Sequence, residues 1–176
     1  MATSAPTQFN LSSGQRAERK LLITVAEWTE GGTNQVREIL GTRTEDSSID
    51  YNPDIETTTD ILGINYTDLN RTQPQQDFDP YLVLGGSKLG ALLNDIRRRN
   101  ALSELNQFTI YVITAFVGTT GSYEAERHTG CTITYNSIGG DSNVNFPISV
   151  YFSNNITTGT VNKLGNDFTF TADVTL

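Results

Sequence analysis

The sequence predicts a mainly β protein: an antiparallel β-sandwich or partial barrel with one flanking α-helix, at about residues 87–100, and a long hairpin loop. Three observations carry that expectation. β-Branched and aromatic residues recur with period-2 alternation over most of the chain. A single segment, around Leu89, Leu92, Leu93 and Ile96, has apolar residues at helical spacing. One run, residues 108–117, is apolar on both faces, as a strand covered on two sides requires.

In chain order, residues 1–15 lack periodicity and read as a flexible arm, ahead of a single β domain over residues 16–176. Residues 21–28 form the first strand. Residues 46–81 are polar, and 56–67 alternate weakly, as the second arm of a long hairpin followed by an open loop at 70–79. Ser87 is placed to cap the helix and Asn100 to end it, with Arg97, Arg98 and Arg99 in the last turn, where the helix dipole favours cations. Residues 108–117 form the central strand. Residues 123–138 add another, and the Gly and Asx residues at 137–143 make a hairpin loop. Val144, Phe146, Ile148, Val150 and Phe152 alternate, but Pro147 cannot donate to a ladder, so this strand is expected at an edge or with a bulge. Phe168, Phe170, Ala172 and Val174 alternate with polar residues as a final strand with one buried face.

A chain of 176 residues buries roughly 70% of its unfolded surface, enough for one core without disulfides. Its lone Cys131 and lone His128 exclude an internal bridge and a Cys/His zinc site. The formal net charge of −8 excludes a basic clamp on nucleic acid. The acid is concentrated: residues 27–79 hold twelve acids against Arg37, Arg43 and Arg71, while the rest is close to neutral. Such a run is either a solvated loop region or a functional acidic surface. No segment is long and apolar enough to span a membrane, and the polar start does not read as a secretory signal. The mature chain is therefore expected to begin at or near Met1 and to be made in a cytoplasm. The acceptor triplets at Asn10, Asn65 and Asn155 are discounted on that ground.

No constellation of catalytic residues emerges. His128 and Cys131, three apart in a strand, are expected on opposite faces and cannot form a base–nucleophile pair; Cys131 reads as a small buried hydrophobe. Gly85-Gly86-Ser87-Lys88 lacks the spacing of a phosphate loop and reads as a tight strand-to-helix turn. Asp141, Asn143 and Asn145 lack the glycine and bidentate Glu of a calcium loop. The pairs Asp77/Asp79 and Glu124/Glu126 have no accompanying aromatic cluster for sugar binding. The reading is a protein without enzyme activity, cofactor or metal, one that builds or binds.

The order of a polar arm, a strand, a long acidic hairpin, then GGSKLGALLNDIRRRNALSELNQFTIYVITAFVG, YEAERHTGCTITYNSIGGDSNVNFPISVYF and the GTV-then-FTF ending resembles the tail tube (major tail) proteins of tailed bacteriophages of Gram-positive hosts. The resemblance covers roughly residues 16–176. It implies a tail-tube-like β-sandwich that self-assembles into rings, usually hexameric, which stack into a hollow tube in the virion. Assembly would take place in the bacterial host cytoplasm, around a tape-measure protein and between tail tip or baseplate and terminator proteins. DNA would pass through the lumen without specific binding, and no membrane is involved. An acidic wall keeps DNA mobile where a basic one would trap it.

The same resemblance implies that two hairpins, roughly 36–66 and 122–152, form the inner sheet. Along 123–138, Tyr123, Ala125, Cys131, Ile133 and Tyr135 are expected on one face. Glu124, Glu126, His128, Thr132 and Thr134 are expected on the other, facing the lumen, where Glu56, Thr58 and Asp60 of the facing strand join them. Asp46, Asp50, Asp54, Asp77 and Asp79 are expected at contacts between subunits or rings. Arg97, Arg98 and Arg99 either meet the acidic loop of a neighbour or are solvated. Two alternatives stand beside this reading: a tube subunit of a phage-derived contractile injection particle, and a non-catalytic β-sandwich binding module.

Overall fold

A computed structural model describes residues 9–173. Its strands are β1 (Leu22–Glu30), β2 (Asn34–Ile39), β3 (Ile49–Asp50), β4 (Asp54–Thr59), β5 (Asn65–Arg71), β6 (Gln75–Phe78), β7 (Phe108–Thr119), β8 (Ser122–Tyr135), β9 (Ile148–Tyr151), β10 (Ile156–Val161) and β11 (Phe170–Ala172). One α-helix, α1 (Lys88–Arg99), lies between β6 and β7. Every strand pairing is antiparallel. The protein is mainly β with one helix and has a sandwich-like architecture, as the alternation and the single helical segment predict.

The sheet runs β2-β1-β7-β8-β9-β6-β3, and it divides along the far side of β8. The N-terminal half of β8, Tyr123 to His128, pairs with β10, and its C-terminal half, Thr132 to Tyr135, pairs with β9. From there β9 leads to β6 and β3, while β10 leads to β11. The division coincides with a bulge: Phe108 faces Cys131 but Thr109 faces Thr129, so Gly130 is the extra residue. Its φ of +76° is a conformation that glycine adopts without strain. A strand that changes sheets at a bulge is how a β-sandwich turns a corner.

The central strand β7 is covered on both faces. Phe108, Ile110 and Val112 enter the main core with Ala26, Trp28, Ile133, Ile148, Phe146 and the helix residues Leu89, Leu93 and Ile96. Tyr111 and Ile113 enter a second core with Val25, Ala125, Val161 and Phe168. Curling of the sheet brings β6 across from β1, where the Thr24 hydroxyl donates to Gln76 Oε1 at 2.8 Å inside the core. The second core is roofed by the chain's last described segment, in which Phe168 packs edge-on and Phe170 at a tilt against Tyr111.

Several expectations change. The strand around Pro147 is not an edge: β9 begins one residue after the proline and pairs on both sides, with β8 and β6. The ring thus lies just outside the ladder, where its missing N–H costs nothing. Residues 75–78 of the expected open loop are β6, inside the sheet. Residues 56–67 do not form one arm of a long hairpin; they are most of a complete hairpin, β4–β5, whose strands pair only with each other. Of the expected final strand, Phe170 and Ala172 lie in β11, Phe168 turns inward as a loop residue, and Val174 lies outside the described residues. In the arm, residues 1–8 lie outside the described residues. Phe9 bridges to Val117 and packs edge-on against Phe116, and Asn10 donates to the Ala115 and Gly118 carbonyls, so the arm's end lies on β7.

The helix has the predicted bounds within a residue. Ser87 Oγ accepts from Gly90 N at 3.0 Å, and Asn100 closes the helix in the left-handed conformation. An unforeseen group completes this end. Glu38 of β2 accepts from Lys88 N, Leu89 N, the Ser87 hydroxyl and the Tyr81 hydroxyl, the first two at 2.8 and 3.1 Å. A carboxylate on two free amides of a helix N-terminus satisfies both donors and meets the positive end of the dipole. Glu38→Ala removes the acceptor of four donors, of which only the Tyr81 and Ser87 hydroxyls, 3.2 Å apart, can pair with each other, and is expected to lower stability by about 1.5–3 kcal/mol, measurable by urea denaturation. A change under about 0.5 kcal/mol would mean that water replaces the carboxylate without loss.

Candidate functional site

The long strand β8 was expected to present one continuous polar face. The bulge at Gly130 breaks that face in two. Before it, Glu124, Glu126 and His128 lie opposite Thr114, Val112 and Ile110, on the main-core side. After it, Cys131, Ile133 and Tyr135 take that side, and Thr132 and Thr134 turn to the other face, opposite Tyr151 and Ser149. The five residues expected on one surface therefore do not share it. His128 and Cys131, expected on opposite faces, share one.

His128 is only 3% exposed and packs edge-on against Phe152, so within this chain it belongs to the core. Its Nδ1 lies 3.2 Å from the Ser153 carbonyl and its Nε2 3.3 Å from Glu126. Cys131 donates to the His128 carbonyl and accepts from Ser153 N, and burial pushes its thiol pKa up, away from the thiolate that a nucleophile needs. Glu126, by contrast, is exposed at the sheet surface, and with Glu124 and the neighbouring Thr114, Thr158 and Thr160 it makes a glutamate–threonine strip.

The hydrogen bond from His128 holds the Glu126 carboxyl below its ordinary pKa of 4.5, against a smaller opposing effect of burial. A carboxylate made more acidic by folding contributes stability above its unfolded pKa. That contribution is lost as the pH falls through the lowered folded value. Glu126→Gln is expected to flatten the acid side of the melting-temperature profile below about pH 4.5. An acid limb of unchanged slope would exclude Glu126 as its source.

The β4–β5 ribbon carries the other three expected lumen residues. Glu56 and Asp68 face each other on one side of it, with Thr58 opposite Tyr66. Ile55 and Leu69 form a pair on the other side. Asp60 holds the turn: its Oδ1 accepts from Leu62 N at 2.8 Å and Ile64 N at 2.9 Å, bonds that lower its pKa. Every residue of both strands is exposed. At the tip, Ile61 is 102% and Leu62 77% exposed, and Ile55, Ile64, Tyr66 and Leu69 are open as well. Glu56, Thr58 and Asp60 share a face as expected, but it is not continuous with β8 in one chain.

The residues expected between subunits are scattered. Asp50 lies on the margin strand β3, and Asp77 on β6, one strand in, accepts from Gln75 at 2.9 Å; Asp46 is exposed in the loop before β3. Asp54 pairs with Arg71 at the ribbon's root, 3.4 Å apart, and Asp79 accepts from Asn145. Arg99 is occupied within its own chain by Asp95 and, through two bonds, by Glu104. Arg97 donates to Asn94, and Arg98 is exposed. In the main sheet three margins are unpaired on one side among the described residues: β2, β3 and β11.

No group of three or more His, Cys, Asp or Glu side chains among the described residues is placed to hold a metal ion. No described helix is long and apolar enough to cross a membrane. Compared with known proteins, the chain matches no family model and no curated protein.

Proposed function

We propose that this protein is a structural subunit of a phage tail tube, self-assembling into stacked, hexameric rings whose acidic bore conducts DNA and is filled beforehand by a tape-measure protein. Tail-tip or baseplate and terminator proteins would bound the stack. The observation that carries the reading is the β4–β5 ribbon. A two-stranded hairpin is marginal by itself in water, yet this one projects without a third strand and exposes six large apolar side chains. Apolar surface of that kind on a soluble chain marks a contact.

The unpaired margins of β2, β3 and β11 support the same reading, since unpaired strands invite joining across copies. The net charge of −8 and the glutamate–threonine strip on β8 suit a wall that repels phosphate. Negative-stain microscopy of the concentrated full chain tests the proposal. Rings or tubes are the expected result. A chain that stays monomeric at every concentration, also with a tail-tip nucleus present, would overturn it and favour the binding-module alternative.

A further inference from the structure

A second feature of the molecule lacks a partner. On the face of the sheet roofed by Phe168 and Phe170, two arginines border a cavity of about 390 Å³. They are treated unequally. Arg37 is fully engaged: it pairs with the buried Glu27, donates to the Phe168 carbonyl and lies over the Phe168 ring at 4.3 Å. Arg127 of β8 lies over Phe170 at 5.0 Å, but its Nε is buried without a hydrogen-bond partner. Its only polar contact is Nη2 to Thr157 Oγ1 at 3.5 Å, the limit of a hydrogen bond, and no carboxylate lies within ion-pair distance of it among the described residues.

A guanidinium half removed from water without a counter-charge is costly, and the missing group is a hydrogen-bond acceptor that carries negative charge. The rest of the lining, Thr109, Thr129 and Tyr111, is neutral, and Glu27 is already spent on Arg37. The cavity thus has room for one carboxylate and a surplus of one positive charge.

We infer that Arg127 receives a carboxylate from the β4–β5 ribbon of a second copy of this chain, an inference that rests on the self-assembly reading above. Two observations select the ribbon. Residues 54–71 hold four acids, Asp54, Glu56, Asp60 and Asp68, against Arg71 alone. Glu56 and Asp68 also stand directly opposite each other, an arrangement of like charges that disfavours the free ribbon and is relieved by a cation between them. A strand of six residues spans about 20 Å, so the ribbon reaches well beyond its own subunit. Charge complementarity here sets the register of the contact, and Tyr66, on the same side of the ribbon as the two acids, supplies apolar area beside them.

The test uses the full chain and follows particle formation by sedimentation and negative-stain microscopy, with thermal melting of the unassembled chain as the control. Arg127→Gln, and separately Glu56→Gln with Asp68→Asn, are each expected to raise the concentration needed for assembly by roughly tenfold or more, with little change in melting. Reversing both sides, Arg127→Glu with Glu56→Arg and Asp68→Arg, is expected to restore growth. Mixing an Arg127→Cys chain with an Asp68→Cys chain is expected to give disulfide-linked dimers under oxidation.

Assembly of Arg127→Gln at the wild-type concentration would overturn the inference while leaving the tube reading intact. So would loss of melting temperature with unchanged growth, because the guanidinium would then serve its own chain. If Arg127→Gln fails to fold, the ribbon variants decide alone, since their residues are exposed; unchanged growth in them overturns the contact. A wild-type chain that forms no particle removes both proposals together.

Discussion

Excising the ribbon, by joining Pro53 to Thr72 through a short glycine–serine turn, is expected to abolish particle formation while leaving the melting temperature of the single chain within about 3 °C of wild type. The two halves of that result have separate causes. The β4 and β5 strands pair only with each other and contribute nothing to either core, so their removal takes no buried apolar surface from the fold. The six exposed apolar side chains of the ribbon, turn included, are what an assembly would bury. At about 1.5–3 kcal/mol for each fully covered side chain, they supply a gross driving force on the order of 10 kcal/mol. That is comparable with the cost of immobilising two partners, estimated at about 4–15 kcal/mol. On the proposed reading, the ribbon would thus decide whether association is favourable. A milder variant, Ile61→Asp with Leu62→Asp, should weaken growth in the same direction without shortening the chain. Tubes of normal appearance from the excised chain would transfer the role to the open margins of β2, β3 and β11.

The largest effect on the fold itself is expected at Gly159. A Cβ there would fall on the Thr171 carbonyl oxygen and lie 2.7 Å from the Phe170 ring and 3.0 Å from Ala172 Cα. Two of those three neighbours are backbone of β11, which a rotamer change cannot move. Gly159→Ala therefore forces β11 away from β10, and the roof of the second core goes with it. Val25, Tyr111, Ile113, Ala125 and Val161 then meet water. Overpacking of this kind costs about 1–3 kcal/mol, and the lost cover adds to it, so a fall in melting temperature of roughly 5–12 °C is expected by calorimetry. A fall under about 2 °C would show that β11 shifts along the sheet without exposing the core.

The parts of the fold legible in the sequence are those whose signal is local and repeated. The helix announces itself through Leu89, Leu92, Leu93 and Ile96 and through Ser87 and Asn100 at its ends. The central position of β7 follows from a run that is apolar on both faces. What escaped the sequence depends on single residues or on distant ones. Gly130 reads as one more glycine, yet it reverses the facing of every later residue in β8, because strand alternation has period 2 and one inserted residue inverts it. Glu38 completes a helix that begins 50 residues later, and no periodicity connects the two. The ribbon is partly legible: residues 56–67 alternate weakly, but a hairpin that packs on nothing has no buried face to sharpen the pattern.

Because β8 belongs to both halves of the sandwich, the two halves have no hinge between them. Load placed on the β10–β11 side passes along one covalent backbone into the β9–β6–β3 side, and the side chains of Ser153 and Asn155, bonded to the Thr129 carbonyl and hydroxyl, brace the corner. A stack built from such units, as proposed above, would flex at the joints between molecules and stay stiff within each one.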